Sequence, residues 1–455
     1  MKTFKKLSIL IVLAMLFVAV VPASAQLGAT DISSFTVQNV DSETATVTIH
    51  FYAEDGSVIT PSVLNDSQPN PFDLLPGGSF AVYLPAIPDD QLADGRYSVV
   101  IESSARVVTI ANLIGQGDIY FNGSYSGFDG GATSFFMPSI EFNFYGWYSL
   151  ISVQNVGTDV ADVTVTITCD DGTIGTLTAT DVPVNSANHF DLETTLPSGF
   201  TSGTVCNGSA EITADQPIVA VDNQSVPAAG NTQSYSGVVS GSTQVFAPGL
   251  YNSYYGWNGS LSIRKLGTGD TTVTVVYDDG DPNSTCDLTD AAPACMLYMP
   301  VFHPTLGSFA ATVTNDAGLE LVVVVNAANG SQAQTYNGVY SGATGAVGIP
   351  STMKLYYGWN TAFACQNVGT VNTTLHVAYD GYAGDEYDTI DLAPGDSFER
   401  YTPNEAFLPD GHESGATITA NAAGALIACI VNFNNPGQME TTVGDWSMSY
   451  NAFAK

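Results

Sequence analysis

A pattern of about one hundred residues recurs four times along this chain of 455 residues. Its clearest marks are Tyr145-Gly146-Trp147, Tyr255-Gly256-Trp257 and Tyr357-Gly358-Trp359, whose tyrosines stand 110 and 102 residues apart. Repeats in solenoid proteins have about 20 to 50 residues, so a period of this length indicates whole domains. We therefore expect a tandem array of domains that extends as a rod, rather than one catalytic globule.

Each repeat alternates apolar and polar residues over short runs, such as Val163 to Ile167, which is typical of half-buried strands. An Asp-Gly pair occurs in all four copies, at Asp55-Gly56, Asp171-Gly172, Asp279-Gly280 and Asp380-Gly381. Glycine supplies the positive φ that a tight hairpin turn requires. About seven short strands in about 100 residues, without an amphipathic helical pattern, predict an immunoglobulin-like β-sandwich.

The predicted fold class is all-β: a tandem array of four immunoglobulin-like β-sandwich domains after a cleaved signal peptide. The predicted boundaries are residues 1–25 for the signal peptide and 26–132, 133–243, 244–345 and 346–455 for the four domains. We name the last four ranges segments one to four.

The first 25 residues have the three parts of a secretory signal peptide. Three lysines precede an apolar run from Leu7 to Val21, and Ala23-Ser24-Ala25 supplies the small residues of a cleavage site. A helix that spans a membrane needs about 20 apolar residues, more than this run provides. We therefore predict cleavage after Ala25, no transmembrane anchor, and a secreted protein that is extracellular or associated with the cell surface.

The chain is strongly acidic, with 44 Asp and Glu residues against 10 Lys and Arg residues and a formal net charge of −34. Three of those lysines belong to the predicted signal peptide, so the mature chain has 7 basic against 44 acidic side chains, a net charge of −37. Such a surface repels nucleic acids and anionic lipids, so both are poor partners, and we predict no binding of nucleic acid. A solvated extracellular surface explains the charge, and binding of divalent cations is the alternative.

Six cysteines fall two to a segment in segments two, three and four. In a secreted chain they are expected to form disulfides rather than a metal site, because C-x-x-C spacings are absent. The economical pairing keeps each bridge inside one segment and joins Cys169 to Cys206, Cys286 to Cys295, and Cys365 to Cys429. We expect the last bridge to connect the two facing sheets of its sandwich.

Two stretches carry a resemblance to a known family. The run from Val153 to Thr158 (VQNVGT), followed by Ala161 to Thr166, resembles the signature of CARDB-like bacterial cell-adhesion-related domains, and Gln366 to Thr370 matches it too. Segment one has Asp41 where the glycine should stand, and segment three keeps only Gly267-Thr268. The resemblance implies an immunoglobulin-like fold in secreted bacterial proteins with adhesive or surface roles, and it transfers no catalytic residues.

Aromatic residues cluster around the three Tyr-Gly-Trp elements. The candidate residues are Tyr145, Trp147, Tyr255, Trp257, Tyr357 and Trp359. They are either residues of a core or domain junction, or platforms on which sugar rings stack. Segment one begins too close to Gln26 to include the element, so the three copies accompany three joints between domains, which favours the junction.

Carboxylates cluster near the Asp-Gly turns of segments three and four. The candidate calcium ligands are Asp278, Asp279 and Asp281 in segment three, and Asp385, Glu386 and Asp388 in segment four. Calcium takes six to eight oxygen ligands, but no EF-hand loop with its distal glutamate is present. Solvated hairpin tips are the simpler interpretation, calcium is the alternative, and no other cofactor is predicted.

Catalytic signatures are missing from the sequence. Its five histidines occupy unrelated repeat positions, and no zinc-protease, serine-hydrolase or nucleotide-binding motif occurs. We predict that the protein is not an enzyme but an extracellular structural or adhesive protein of the bacterial cell surface, a component of a surface layer, sheath or filament. The alternatives are a carbohydrate-binding array that uses the aromatic platforms, and a secreted hydrolase.

The expected partners are other copies of the chain, cell-surface components or polysaccharide. In an extended rod the two ends are either finished caps or open joints that another copy completes head to tail.

Overall fold

The computed structural model describes residues 15–20, 30–116, 121–330, 332–382, 387–439 and 444–455. The chain is all-β, with 61% strand, 4% helix and several antiparallel sheets, as the alternating pattern predicted. In the strand Ala161–Cys169, for example, Val163, Val165 and Ile167 are buried while the residues between them are more exposed. Alternation of this kind arises because successive side chains of a strand point to opposite faces.

Segment one and a strand that precedes it form two packed antiparallel sheets. The strands are β1 (Met15–Val20), β2 (Thr30–Asn39), β3 (Ala45–Ala53), β4 (Val58–Ile59), β5 (Phe72–Leu74), β6 (Ser79–Tyr83), β7 (Tyr97–Ser103), β8 (Val107–Gln116) and β9 (Phe121–Ser126), with short 3-10 helices at Asn65–Ser67 and Leu84–Ala86. The neighbour order is β1-β7-β3-β4, with β5 beside β3, and β6-β2-β8-β9. Val37, Ile49 and Leu113 contribute to one core from both sheets.

Segment two repeats this order around one long strand. Its strands are β10 (Ala132–Phe144), β11 (Trp147–Asn155), β12 (Ala161–Cys169), β13 (Ile174–Val182), β14 (Ala187–Asp191), β15 (Cys206–Val226) and β16 (Asn231–Ser236). The first half of β15 pairs with β10 and β12, and its second half pairs with β11 and β16. The order is therefore β10-β15-β12-β13 in one sheet and β14-β11-β15-β16 in the other.

Segment three forms two four-stranded sheets in its described residues, β17-β22-β19-β20 and β21-β18-β23-β24. Its elements are β17 (Gln244–Asn252), β18 (Asn258–Lys265), β19 (Thr271–Tyr277), β20 (Ser284–Leu288), β21 (Ala294–Tyr298), the one-turn helix α1 (Met299–Phe302), β22 (Gly307–Asn315), β23 (Leu321–Asn329) and β24 (Gln332–Asn337).

Segment four has the same two orders, β26-β31-β28-β29 and β30-β27-β32-β33, with β25 beside β32 and β34 beside β26. Its elements are β25 (Ala343–Thr344), β26 (Ala346–Tyr356), β27 (Trp359–Asn367), β28 (Leu375–Tyr379), β29 (Tyr387–Asp388), β30 (Ser397–Tyr401), a 3-10 helix (Thr402–Asn404), β31 (His412–Ala420), β32 (Leu426–Asn434), the one-turn helix α2 (Pro436–Met439), β33 (Ser447–Asn451) and β34 (Phe453–Ala454). Among the described residues no helix is long and apolar enough to cross a membrane.

The strand connectivity differs from that of an immunoglobulin constant domain. Such domains order their strands A-B-E-D and C-F-G, so that the consecutive strands A and B are neighbours in one sheet. Here the first strand of a segment lies along a much later one, as β17 lies along β22. The described strands thus form sandwich-like antiparallel sheets, and their connectivity differs from that of an immunoglobulin domain.

Strand β1 lies inside the predicted signal peptide; residues 1–14 and 21–25 of that peptide lie outside the described residues. Beside β7 it takes the place that β10, β17 and β26 take beside β15, β22 and β31. The sequence shows the same equivalence. In all four copies a proline stands 17 residues before the last residue of β2, β11, β18 or β27: Pro22 and Asn39, Pro138 and Asn155, Pro248 and Lys265, Pro350 and Asn367. The predicted signal peptide therefore overlaps the first strand of the first repeat.

The four segments close into a ring. Strand β9 contacts β16, β16 contacts β24, β24 contacts β33, and β33 contacts β9 again. These four strands surround a common axis, so segment four packs against segment one. The prediction of an extended rod is therefore wrong for the described residues. Segments one and four, whose outer ends were expected to be caps or open joints, contact each other.

Equivalent residues of the four segments make the apolar part of the ring. Val221 of segment two packs into the core of segment one, Val324 of segment three into that of segment two, and Ile430 of segment four into that of segment three. Ile110 of segment one completes the cycle by packing into the core of segment four. Each of the four stands two residues before a buried asparagine on the same strand.

Polar contacts around the axis repeat in the same direction. Ser236 Oγ donates to the carbonyl oxygen of Ser126 at 2.6 Å, and Asn337 Nδ2 donates to that of Ser236 at 2.6 Å. Asn451 Nδ2 donates to the carbonyl oxygen of Asn337 at 2.5 Å. Each residue thus binds its counterpart in the preceding segment.

Asp445 touches all four segments. Its buried carboxylate accepts hydrogen bonds from the backbone amides of Thr232 in segment two, at 3.0 Å, and Ala333 in segment three, at 2.8 Å. The amide of Ser447, in its own segment, donates to the same carboxylate at 3.0 Å, and Asn122 Nδ2 of segment one donates to the Asp445 carbonyl oxygen. Burial raises the pKa of this carboxyl well above that of an ordinary aspartate.

The structure forms the three disulfides that were predicted, Cys169–Cys206, Cys286–Cys295 and Cys365–Cys429. The expectation that Cys365–Cys429 connects facing sheets is wrong, because the two cysteines lie directly opposite each other on neighbouring strands of one sheet. It is Cys286–Cys295 that joins the two sheets of its segment, through β20 and β21.

Candidate functional site

The first two residues of each Tyr-Gly-Trp element form a hairpin turn. Tyr145, Tyr255 and Tyr357 have φ values of 51°, 48° and 48°, and the glycines that follow have 84°, 86° and 86°. Positive φ at both central residues defines the type I′ turn that matches the twist of a two-residue hairpin. From the sequence these residues were interpreted as a mark of the repeat and as candidate junction or platform residues, and the chain reversal at Tyr-Gly was not predicted.

The three tyrosines stand at the exposed tips of these hairpins. Tyr145, Tyr255 and Tyr357 are 87%, 84% and 85% exposed, whereas Trp147, Trp257 and Trp359 are half-buried. Each tyrosine makes an edge-to-face contact with the ring before it, with centroids 4.7 to 4.8 Å apart. The tyrosines are therefore not core residues, and each tip presents a pair of aromatic rings to solvent.

The Tyr255 hairpin, the second of the three, borders a cleft of about 540 Å³ between segments three and four. Aromatic residues line one side and mostly polar residues line the other, and the main lining residues are Tyr251, Tyr254, Tyr255 and Trp257 from segment three and Glu399, Tyr401, Asn404 and Asn434 from segment four. Tyr255 and Trp257, two of the predicted aromatic residues, thus lie both at a joint between segments and at a cavity.

The floor of the cleft is a stacked pair of tyrosines. The rings of Tyr251 and Tyr254 are nearly parallel, 7° apart in tilt, with centroids separated by 5.8 Å. Asn432 Nδ2 donates to the Tyr251 hydroxyl at 2.9 Å across the joint, and the Tyr401 hydroxyl donates to Asn434 Oδ1 at 3.0 Å. Partial burial raises the pKa of Tyr254, so its hydroxyl stays neutral and able to donate at physiological pH.

Arg400, a charged side chain that lines the cleft, is paired with a carboxylate. Arg400 donates to both carboxylate oxygens of Glu405, at 2.6 and 3.1 Å, and its guanidinium lies 5.0 Å from the ring centroid of Tyr387. Burial raises the pKa of Glu399. The cleft therefore offers flat apolar rings together with hydroxyl and amide groups, which suits a neutral polar ligand with an apolar face.

The predicted acidic cluster of segment three divides into two parts. Asp278 accepts hydrogen bonds from the amide of Ala310 at 2.7 Å and from Ser397 Oγ of segment four at 2.6 Å, so it serves the joint. Asp279 and Asp281 instead converge on His303, which the sequence analysis did not connect with them. No local pattern could have identified His303, because it reaches the turn through the fold from a loop after α1.

Of the cluster predicted in segment four, the described residues include only Asp388. Asp385 and Glu386 lie outside them, and Asp388 is exposed. Asp388 accepts hydrogen bonds from His376 Nδ1 and Asn421 Nδ2, each at 3.0 Å. This Asp–His pair lacks a third ligand in the described part of the chain.

Two buried carboxyl groups in segment two, those of Glu141 and Asp222, were not identified from the sequence. Burial raises the pKa of Asp222 to about 7, and burial and the nearby charge of Asp222 raise that of Glu141. Shifted pKa values often mark catalytic sites. Here Asp222 accepts hydrogen bonds from Ser149 Oγ and Gln224 Nε2 inside the protein, at 3.0 and 2.9 Å, and all of these residues are buried, so the pair has no surface on which to meet a substrate.

Comparison with known proteins gives no family. No family model and no curated protein matches the chain. Among solved structures, Thermotoga maritima 1070 matches 25% of this chain and 93% of its own at 21% identity, with a TM-score of 0.17. A tetra-tandem repeat from the extending region of a large adhesion protein matches 97% of this chain and 99% of its own at 11% identity, with a TM-score of 0.10. Both TM-scores are too low to bear on fold or function.

Proposed function

We propose that this protein is a non-catalytic adhesive protein outside the bacterial cell, in which four immunoglobulin-like β-sandwiches form a closed ring and hold polysaccharide at the cleft between segments three and four. The observation that carries the proposal is the stacked pair Tyr251 and Tyr254, which faces side-chain amides across the joint. Sugar rings have apolar faces that stack on tyrosine and hydroxyl groups that bond amides, so both sides of the cleft have a use.

Secretion is part of the proposal and has independent support. All six cysteines are paired in disulfides, which persist in oxidising compartments and are rare in the cytosol. The large negative charge suits a soluble surface that repels other anionic polymers, so a neutral polysaccharide is the ligand class expected.

A filament built through the chain ends receives no support from this geometry. Segment four packs on segment one through Ile110 and through Ser124 Oγ, which donates to the carbonyl oxygen of Ser449 at 2.7 Å. A structural role in a surface layer or sheath would therefore use the outer faces of the ring, where the hairpin tips lie exposed.

Binding of neutral cell-wall polysaccharides, measured by titration calorimetry or on immobilised glycan, tests the proposal. Tyr255→Ala removes an exposed ring at the cleft and is expected to weaken binding at least tenfold. Tyr145→Ala is the matched control, because Tyr145 has the same turn geometry and exposure on another hairpin. Equal losses in both variants would favour the array of three platforms, and no binding to any polysaccharide would refute the adhesive role assigned to the cleft.

A further inference from the structure

His303 is a buried histidine with one ring nitrogen directed at two carboxylates. Its side chain is 0% exposed, and its Nδ1 lies 2.9 Å from the carbonyl oxygen of Thr305. A carbonyl oxygen only accepts, so Nδ1 carries the proton and donates. The Nε2 atom lies 3.1 Å from Asp279 Oδ2 and 3.2 Å from Asp281 Oδ2, and these carboxylates are its only polar partners among the described residues.

Two chemical states of the His303 ring fit this arrangement. A neutral imidazole would point an Nε2 lone pair at two acceptor groups, which is unfavourable unless a cation lies between them. Otherwise the ring is protonated and forms a buried ion pair with both aspartates. Histidines that bind metal commonly donate their second ring N–H to a carbonyl oxygen, which fixes the tautomer and aims the lone pair, and His303 meets that condition through Thr305.

The separations fit a small cation with nitrogen and oxygen ligands. Zinc bonds of about 2.0 to 2.1 Å place neighbouring ligands of a tetrahedron about 3.3 Å apart. The two distances from His303 Nε2 are within a few tenths of an ångström of that value, and the ligand atoms of Asp279, Asp281 and His303 all lie within 4.8 Å of one another. Calcium prefers six to eight oxygen ligands, whereas imidazole suits zinc and its transition-metal neighbours.

The three ligands are held in place by their surroundings. Asp281 accepts hydrogen bonds from the amide and Oγ1 of Thr305, at 2.9 and 3.0 Å, while its own amide donates to Asp279 Oδ1 at 3.1 Å. The imidazole of His303 stacks on Phe309 with centroids 3.7 Å apart and ring planes 10° apart. Such support keeps the donor atoms close together even without an ion, which lowers the entropic cost of binding one.

We propose that Asp279, Asp281 and His303 bind one divalent transition-metal ion, with zinc as the best match, and that solvent completes the coordination on the partly exposed side of Asp279. This site replaces the predicted calcium site, in which Asp278 was a ligand and His303 was not. The adjacent Asp278 holds Ser397 at the start of β30, the strand that carries Glu399 and Tyr401 into the cleft. A bound ion therefore fixes the turn that supports the joint between segments three and four.

Purified protein without a polyhistidine tag provides the test. We expect titration with Zn²⁺ after chelator treatment to show one site per chain, with Ca²⁺ at least a hundredfold weaker, and Co²⁺ to give the visible absorption of a tetrahedral nitrogen and oxygen site. Asp279→Asn is expected to weaken Zn²⁺ binding at least tenfold. This ligand is the most exposed of the three, so the substitution spares the core.

Asp388→Asn is the matched control, because Asp388 also faces a histidine but has no third ligand among the described residues. Equal unfolding midpoints of both variants without metal would show that the fold is retained. His303→Phe is the second variant, since a phenyl ring can stack on Phe309 and cannot bind metal. The proposal is overturned if wild-type protein binds no stoichiometric Zn²⁺, if Asp279→Asn or His303→Phe binds as tightly as wild type, or if Ca²⁺ is preferred.

Discussion

Asp445→Ala is the substitution expected to disturb the closed ring most specifically. The wild-type carboxylate accepts the backbone amides of Thr232, Ala333 and Ser447, and thereby joins segments two, three and four at the axis. Alanine leaves these three buried N–H groups without an acceptor. The carbonyl oxygen that binds Asn122 is retained, so the variant removes side-chain contacts alone.

The magnitude follows from the number of donors that lose their partner. An unsatisfied buried donor costs about 1 to 3 kcal/mol, so three donors cost at least about 3 kcal/mol. Removal of a carboxyl group whose pKa is raised by burial returns part of this cost. We therefore expect the free energy of unfolding to fall by about 3 kcal/mol.

Urea unfolding, followed by tryptophan fluorescence, measures this loss, and Trp446 and Trp359 report from the neighbourhood with ring centroids 6.1 Å apart. Asp316→Ala is the control, because Asp316 is exposed and accepts the amide of Thr272 and Oγ1 of Thr271, each at 2.9 Å, inside a single segment. A variant at Asp445 that loses no more stability than this control would show that the Asp445 carboxylate does not hold the segments together at the axis. Accelerated proteolysis between segments is expected for Asp445→Ala alone.

Other perturbations test separate parts of the structure. Burial raises the pKa of Asp222 from an ordinary value of 3.8 to about 7, so the folded state holds a proton that the unfolded chain has released, and stability falls as pH rises from about 4 to about 7. Asp222→Asn should remove this loss and exceed wild type at pH 8 by up to about 4 kcal/mol, with little difference at pH 4; equal pH profiles would contradict the shift. If cleavage after Ala25 removes β1, the intact mass will be that of a chain that begins at Gln26. The amides of β7 will then exchange hydrogen faster than those of β22, which keeps its neighbour β17. Peptide mapping without reduction should recover the three disulfides inside their segments, and a dominant bridge between segments would contradict the structure.

Features with a local cause could be predicted from the sequence. The Asp-Gly turns were placed by the positive φ that glycine adopts there, which is +87° at Gly56 and +83° at Gly172. Strand alternation gave the all-β class, and the distribution of two cysteines to a segment gave the disulfide pairs. The overlap of β1 with the predicted signal peptide is a conflict between two local signals, since an apolar run serves equally as a leader and as a buried strand.

Features that depend on contacts between distant residues could not be predicted. The polar stretches around Tyr125, Tyr235, Tyr336 and Tyr450 belong to the strands at the centre of the ring, and these tyrosines are buried. Polar strands can be buried there because each meets a similar strand that bonds its serine and asparagine side chains. His303 and the stacked tyrosines of the cleft likewise acquire their neighbours only through the fold.

Small-angle X-ray scattering of the monomeric protein tests the closed ring most directly. A compact arrangement of this length has a radius of gyration of about 22 Å, whereas four sandwiches in a line would give about 40 Å. The closed ring predicts the smaller value and a single compact distance distribution in dilute solution. A radius near the larger value, with a distance distribution that has the long tail of a rod, would contradict the contact between segments four and one.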